Sequence, residues 1–103
     1  MDGPAVAIID RVTLGSDIVE GWLGRLRAEY APGAERRGMR LAGTWWSYVG
    51  PGTIEVTVRW DVPDVRSFWA MRRAAGADPT VAAWWAATDA VATERHRSIC
   101  SAS

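Results

Sequence analysis

The sequence predicts an α+β domain in the order strand, helix, strand, strand, helix, strand, the split βαβ arrangement. Three observations carry this. A Val- and Ile-rich run, Val6 to Leu14, ends at Gly15 and reads as a strand. Two later segments, Met39–Val49 and Thr53–Asp61, flank the turn signal Gly50-Pro51-Gly52 and read as a hairpin. Between and after them lie two stretches with apolar residues at helical spacing.

The first helical stripe is Ile18, Val19, Trp22, Leu23, Leu26 and Tyr30. Asp17 with Glu20 resembles a capping box, with Ser16 as the competing N-cap. Pro32-Gly33 marks the expected stop, with Glu35-Arg36-Arg37 as a possible further turn. A three-residue loop in the hairpin sets Tyr48 opposite Ile54, Trp46 opposite Val56, Thr44 opposite Val58 and Ala42 opposite Trp60. The other face then carries Trp45, Val49 and Leu41 beside Thr57, Glu55 and Arg59. The second helix comes in two pieces. Val65, Phe68, Trp69 and Arg72 mark the first, after Pro63-Asp64. Ala75-Gly76-Ala77 breaks it, and Asp78-Pro79 restarts it as N-cap and first helical residue. Val81, Trp84, Trp85, Thr88 and Val91 carry the second stripe. The tail, Arg95 to Ala102, reads as a fourth strand. The whole is a ferredoxin-like βαββαβ domain over residues 1–103, with a four-stranded antiparallel sheet and both helices on one face. The uncovered face carries a large aromatic, and such a face usually finds a partner surface. Two such sheets face to face make a dimeric α+β barrel.

Composition excludes several classes. The 103 residues hold twelve basic and twelve acidic side chains, so the net charge is zero. A dedicated nucleic-acid or anionic-membrane binder normally shows a basic surplus. One Cys and one His cannot supply the four ligands of a structural zinc site, so no metal is expected. The start, Met1-Asp2-Gly3-Pro4, has no basic segment, and no run of about 18 apolar residues could span a bilayer. With a lone Cys100, the expectation is a cytoplasmic protein. Seven Trp in so short a chain, and no Lys, stand out.

Several segments resemble the dimeric α+β barrel superfamily, in its NIPSNAP-like and antibiotic-biosynthesis-monooxygenase-like branches. They are Arg37-Gly38-Met39-Arg40-Leu41, Trp60-Asp61, and Ala77-Asp78-Pro79 followed by Ala83-Trp84-Trp85. The resemblance implies a homodimer of two sheets, with a ligand pocket in each subunit between the sheet and its own helices. Activities in that superfamily include cofactor-free oxygenation of aromatic polyketides, polyketide cyclisation and haem degradation. The haem-handling members use a His on the second helix, and the cyclases a His as base. This sequence offers only His96, at the far end of that helix or in the tail.

The candidate ligand-binding residues are Trp22, Trp46, Tyr48, Trp60, Trp69, Trp84 and Trp85. They line a cavity for a flat apolar molecule, or they are simply core, since each Trp buries about 150–250 Å². Asp10 shares its strand face with Val6, Ile8, Val12 and Leu14. A carboxylate there must be hydrogen-bonded or its pKa rises. It is a candidate general base, or it pairs with a nearby Arg. Arg40 begins the second strand on the side of Trp46 and Trp60, where it could clamp a carboxylate or stabilise an enolate oxygen; the other reading is a solvated strand end. The expected function is a homodimer that binds a hydrophobic aromatic or polycyclic small molecule, as an oxygenase, cyclase or isomerase without a cofactor. The alternative is a non-catalytic binding or assembly module.

Overall fold

A computed structural model describes residues 5–101. The readings placed on residues 1–4 and on Ala102 lie outside them. Strand β1 (Val6–Gly15) is followed by a helical stretch in three parts: α1 (Val19–Arg25), a π-helical turn (Leu26–Tyr30) and α2 (Ala31–Arg36). Strands β2 (Arg40–Gly50) and β3 (Thr53–Val62) form the hairpin. Helices α3 (Val65–Gly76) and α4 (Pro79–Asp89) precede strand β4 (Glu94–Ser101). The sheet is antiparallel throughout, in the order β2-β3-β1-β4. This is the expected α+β, ferredoxin-like arrangement.

The central pair sets the layering. β1 and β3 pair without a shift, from Val6 opposite Val62 to Gly15 opposite Thr53. Alternate residues are buried on both strands, so Val6, Ile8, Val12 and Leu14 share one face with Ile54, Val56, Val58, Trp60 and Val62. The helices cover this inner face, with Val19, Trp22, Leu23, Leu26, Phe68 and Met71 completing the core. Ala7, Ile9, Arg11, Thr57, Arg59 and Asp61 stand on the other, open face. Among the described residues, no helix is long and apolar enough to cross a membrane.

The first helix departs from expectation at both ends. Ile18 occupies the N-cap without a side-chain hydrogen bond. Asp17 instead folds back over Gly15, where a Cβ would lie 2.8 Å from its Oδ1. At the other end, Pro32-Gly33 does not stop the helix. The preceding turn is wound wider, with the Ala31 amide bonding the Leu26 carbonyl five residues back. Proline cannot fill the ordinary four-residue ladder, and the wide turn lets it pass as an early residue of α2. The stop comes at Gly38, whose φ of 98° closes a Schellman motif. Its amide bonds Glu35, and the Met39 amide bonds Ala34, both at 3.0 Å.

The hairpin register holds from Gly43 opposite Arg59 to Tyr48 opposite Ile54. Beyond Gly43 it shifts. Ala42 is bulged out, and Leu41, not Ala42, faces Trp60. The extra residue exchanges the faces below it. Leu41 packs on the core, and Arg40 moves to the open face beside Asp61, away from Trp46 and Trp60.

Asp64 and Asp78 cap α3 and α4, accepting from the amides of Ser67 at 2.7 Å and Thr80 at 2.9 Å. The Ser67 amide holds the Asp64 carboxyl below its ordinary value, and the Thr80 hydroxyl and amide do the same for Asp78. The stability these carboxylates add is therefore complete above the unfolded value near 3.8 and is lost as pH falls through the lower folded values. Asn can cap without a charge. Asp64→Asn should keep most of the stability at neutral pH but lose the acid sensitivity of this cap, and Asp64→Ala should lose the cap at every pH. Urea unfolding between pH 2.5 and 7 reads both.

Candidate functional site

Among the described residues, the inner sheet face holds one carboxylate, Asp10, only 2% exposed. It is fully engaged. Arg97 lies directly opposite on β4 and grips it with two bonds, Nε to Oδ1 at 2.7 Å and Nη2 to Oδ2 at 2.9 Å. The indole of Trp60 on β3 donates to Oδ2 at 3.2 Å. Burial pulls the Arg97 pKa down, but the bonds and charge of Asp10, with a smaller contribution from Tyr30, carry it above its ordinary value. Arg97 stays charged.

Above this pair lies a cluster of rings. Tyr30 is central, with ring centroids 5.8 Å from Trp60, 5.5 Å from Trp84 and 5.6 Å from Trp85. Trp22 joins through Trp84 at 5.6 Å. The wide helical turn ends on Tyr30 and so aims it between sheet and α4. Two strand residues of the same face stack on Trp85: the guanidinium of Arg95 at 4.6 Å and that of Arg97 at 5.4 Å from the ring centroid. Arg95 also holds Asp89 at the end of α4 by two bonds, 2.6 and 3.0 Å. That grip keeps the Asp89 carboxyl below its ordinary range. Arg37 lies over the Tyr30 ring at 5.7 Å and reaches Asp78 at 3.4 Å.

The indole donors are not treated alike. Trp22 donates to Thr88 at 3.1 Å and Trp60 to Asp10. The Nε1 of Trp84 is buried without an acceptor, and so is the Nε of Arg37. Both residues touch Tyr30.

Of the sequence-predicted residues, the structure therefore brings Asp10, Trp22, Trp60, Trp84 and Trp85 together. Their rings fill much of the expected space between sheet and helices. Trp46 and Tyr48 lie on edge strand β2 beyond the helices, 40% and 81% exposed. Trp69 is exposed on α3 against Phe68. Arg40 is on the open face, where it and Arg59 share Asp61 at 2.8 and 2.9 Å. Two depressions open on that face. One, of about 610 Å³, is bounded by residues including Ala7, Ile9, Arg40, Arg59 and Cys100. The other, of about 530 Å³, is bounded by residues including Arg11, Glu55, Glu94 and His96.

The sequence shows Thr88 only as a stripe member, Tyr30 as a stripe member and a hydroxyl without a visible partner, Arg95 and Arg97 only as the neighbours of His96, and Arg37 as part of a solvated pair. The alternation Arg95, Arg97, Ile99 in the tail was the available signal for Arg95 and Arg97. It places both guanidiniums on the inner face.

No family model matches the sequence, and no curated protein matches it. Solved structures do share the fold. A NIPSNAP domain protein from Burkholderia xenovorans is 18% identical with a TM-score of 0.71, covering 95% of this chain and 94% of its own. SnoaB, a cofactor-independent oxygenase from Streptomyces nogalater, is 17% identical with a TM-score of 0.63 over 97% of this chain and 94% of its own. A protein assigned as an antibiotic biosynthesis monooxygenase, from Nitrosomonas europaea, is 13% identical with a TM-score of 0.64 over 99% and 93%. These likenesses are of fold, and they agree with the resemblance read from the sequence.

Removing one partner of a buried ion pair leaves the other charge uncompensated. Arg97→Met should therefore cost about 3–5 kcal/mol of stability. Adding Asp10→Leu to it should recover most of that loss, because both buried charges are then gone. Denaturant unfolding of the two variants checks the order.

Proposed function

We propose that the protein binds a flat, hydrophobic small molecule carrying a hydrogen-bond acceptor, against the Trp84–Trp85 end of the aromatic cluster. The observation that carries this is the buried, unmatched N–H of Trp84. A buried donor without an acceptor costs about 1–3 kcal/mol. The neighbouring indoles Trp22 and Trp60 each have an acceptor built in. A ligand carbonyl or phenolic oxygen would supply the missing one. The partly buried faces of Trp84 and Trp85 would hold its rings.

In its catalytic form, this reading makes the protein a cofactor-independent oxygenase, cyclase or isomerase. The fold shared with the cofactor-independent oxygenase SnoaB supports it. Asp10 then acts through Arg97, as the group that positions it under Trp85, because three donors already occupy its oxygens. A second copy of the chain covers the open sheet face. The alternative, an assembly module without a ligand, draws on the exposed aromatics of β2.

Intrinsic fluorescence against a panel of aromatic ketones, quinones and phenols tests the reading. Saturable quenching in the micromolar range is expected for at least one of them. Trp84→Phe keeps a ring and loses the donor. It should weaken calorimetric affinity up to about tenfold, the worth of one hydrogen bond. Trp46→Phe should leave affinity unchanged. A flat response across the panel would favour the assembly module.

A further inference from the structure

Arg37, Arg95 and Arg97 each set a guanidinium against the rings around Tyr30. Their donors are used differently. Arg97 turns its Nε and Nη2 edge to Asp10, at 2.7 and 2.9 Å. Arg95 turns the same edge to Asp89, at 2.6 and 3.0 Å. That edge presents two parallel N–H groups, spaced to match the two oxygens of a carboxylate. On Arg37 it holds no acid among the described residues. Asp78 meets the other end of the fork, Nη1, at 3.4 Å. Nε is buried and meets no acceptor.

Arg37 is held in this place from several sides. It is the C-cap of α2, and its side chain, only 8% exposed, folds back along its own helix. The guanidinium lies against Gly33, where a Cβ would stand 3.2 Å from Nη1. Glycine weakens a helix, and here it leaves room that alanine would narrow. The guanidinium then covers the Tyr30 ring, 5.7 Å from its centroid. A guanidinium keeps its charge when buried, so it needs a negative partner in place of lost water. One 3.4 Å contact to an aspartate that is itself 36% exposed meets that need poorly.

We propose that the ligand of the preceding section is an aromatic acid, and that Arg37 takes its carboxylate on the empty Nε edge. This rests on that reading and adds the chemical class. Trp84, the other unmatched donor, packs on the same Tyr30 ring at 5.5 Å. One ring system can reach both, with a neutral oxygen at the indole and its carboxylate at the guanidinium. Arg95 and Arg97 are already closed by carboxylates of the chain, so neither competes for the acid. The local charge favours a monoanion. Asp78 already stands on Nη1, and a doubly charged phosphate would be repelled by it more strongly than a carboxylate.

Matched probes test it: 2-naphthoate and anthraquinone-2-carboxylate, each against its own methyl ester, by titration calorimetry at pH 7. Each acid should bind about tenfold or more tighter than its ester, the worth of a charge-assisted contact. Arg37→Met keeps an unbranched side chain over Tyr30 and removes the fork. It should abolish the preference for the acid. Asp78→Asn keeps a cap on α4 and removes the competing charge, so it should widen the preference several-fold. Circular dichroism confirms that both variants are folded. Equal affinity for acid and ester in the wild type would overturn the proposal and leave the aromatic site standing; a water held on Nε would give that result. A preference that survives Arg37→Met, or that Asp78→Asn fails to widen, would overturn it too. Binding of neither acid nor ester would overturn the underlying reading as well.

Discussion

Burying the Asp10 carboxylate in a largely apolar sheet face costs several kcal/mol unless its oxygens are met by donors. Those donors come from the two strands that flank it, Arg97 on β4 and Trp60 on β3. The carboxylate thus ties three strands together at one point. It also pins the register of β4, which has few buried side chains of its own to do so. A slip by one residue would present His96 or Ser98 to Asp10 and send Arg97 to the open face. The same guanidinium then touches Trp85, so the sheet and α4 are positioned through one side chain.

The aromatic cluster builds on that anchor. Tyr30 meets Trp60 from the sheet and both indoles of α4, while Trp22 reaches the same group from α1. Rings from four elements interlock, so displacing any one of them disturbs the others. The wide turn at Leu26–Tyr30 is what rotates Tyr30 into this place. Such turns recur at functional sites in other helices.

What could be read from the sequence was local. The strict alternation in β1 and β3 gave the faces. The glycine-rich turn gave six correct pairings of the hairpin, and Asp78 before Pro79 announced its cap. What could not be read required knowledge of distant partners or of extra backbone. Asp10 and Arg97 are 87 residues apart, and only the sheet register joins them. Nothing in the residues around Ala42 announces a bulge, yet that one residue decides the side on which Arg40 stands. Pro32 looked like a stop because its penalty assumes an ordinary helical ladder, and the ladder here is widened just before it. The tryptophans were legible as a group, but their division into satisfied core and unsatisfied donor depended on where Thr88 and Asp10 lay.

The irregularities of β2 have a consequence for how the chain survives its own synthesis. β2 is an edge strand, with one side of its backbone unpaired. Its segment Trp45 to Val49 has no charge and no proline, and it exposes Trp45, Trp46, Tyr48 and Val49. That is the composition from which stacked intermolecular strands grow. The register shifts at Ala42 and Val49 bracket this stretch. Each interrupts the regular spacing of amides and carbonyls and increases the local twist. An incoming strand from another molecule would find only about six residues of regular edge before losing register. The two misplaced residues thus serve as brakes on fibre growth, in a strand whose side chains would otherwise favour it.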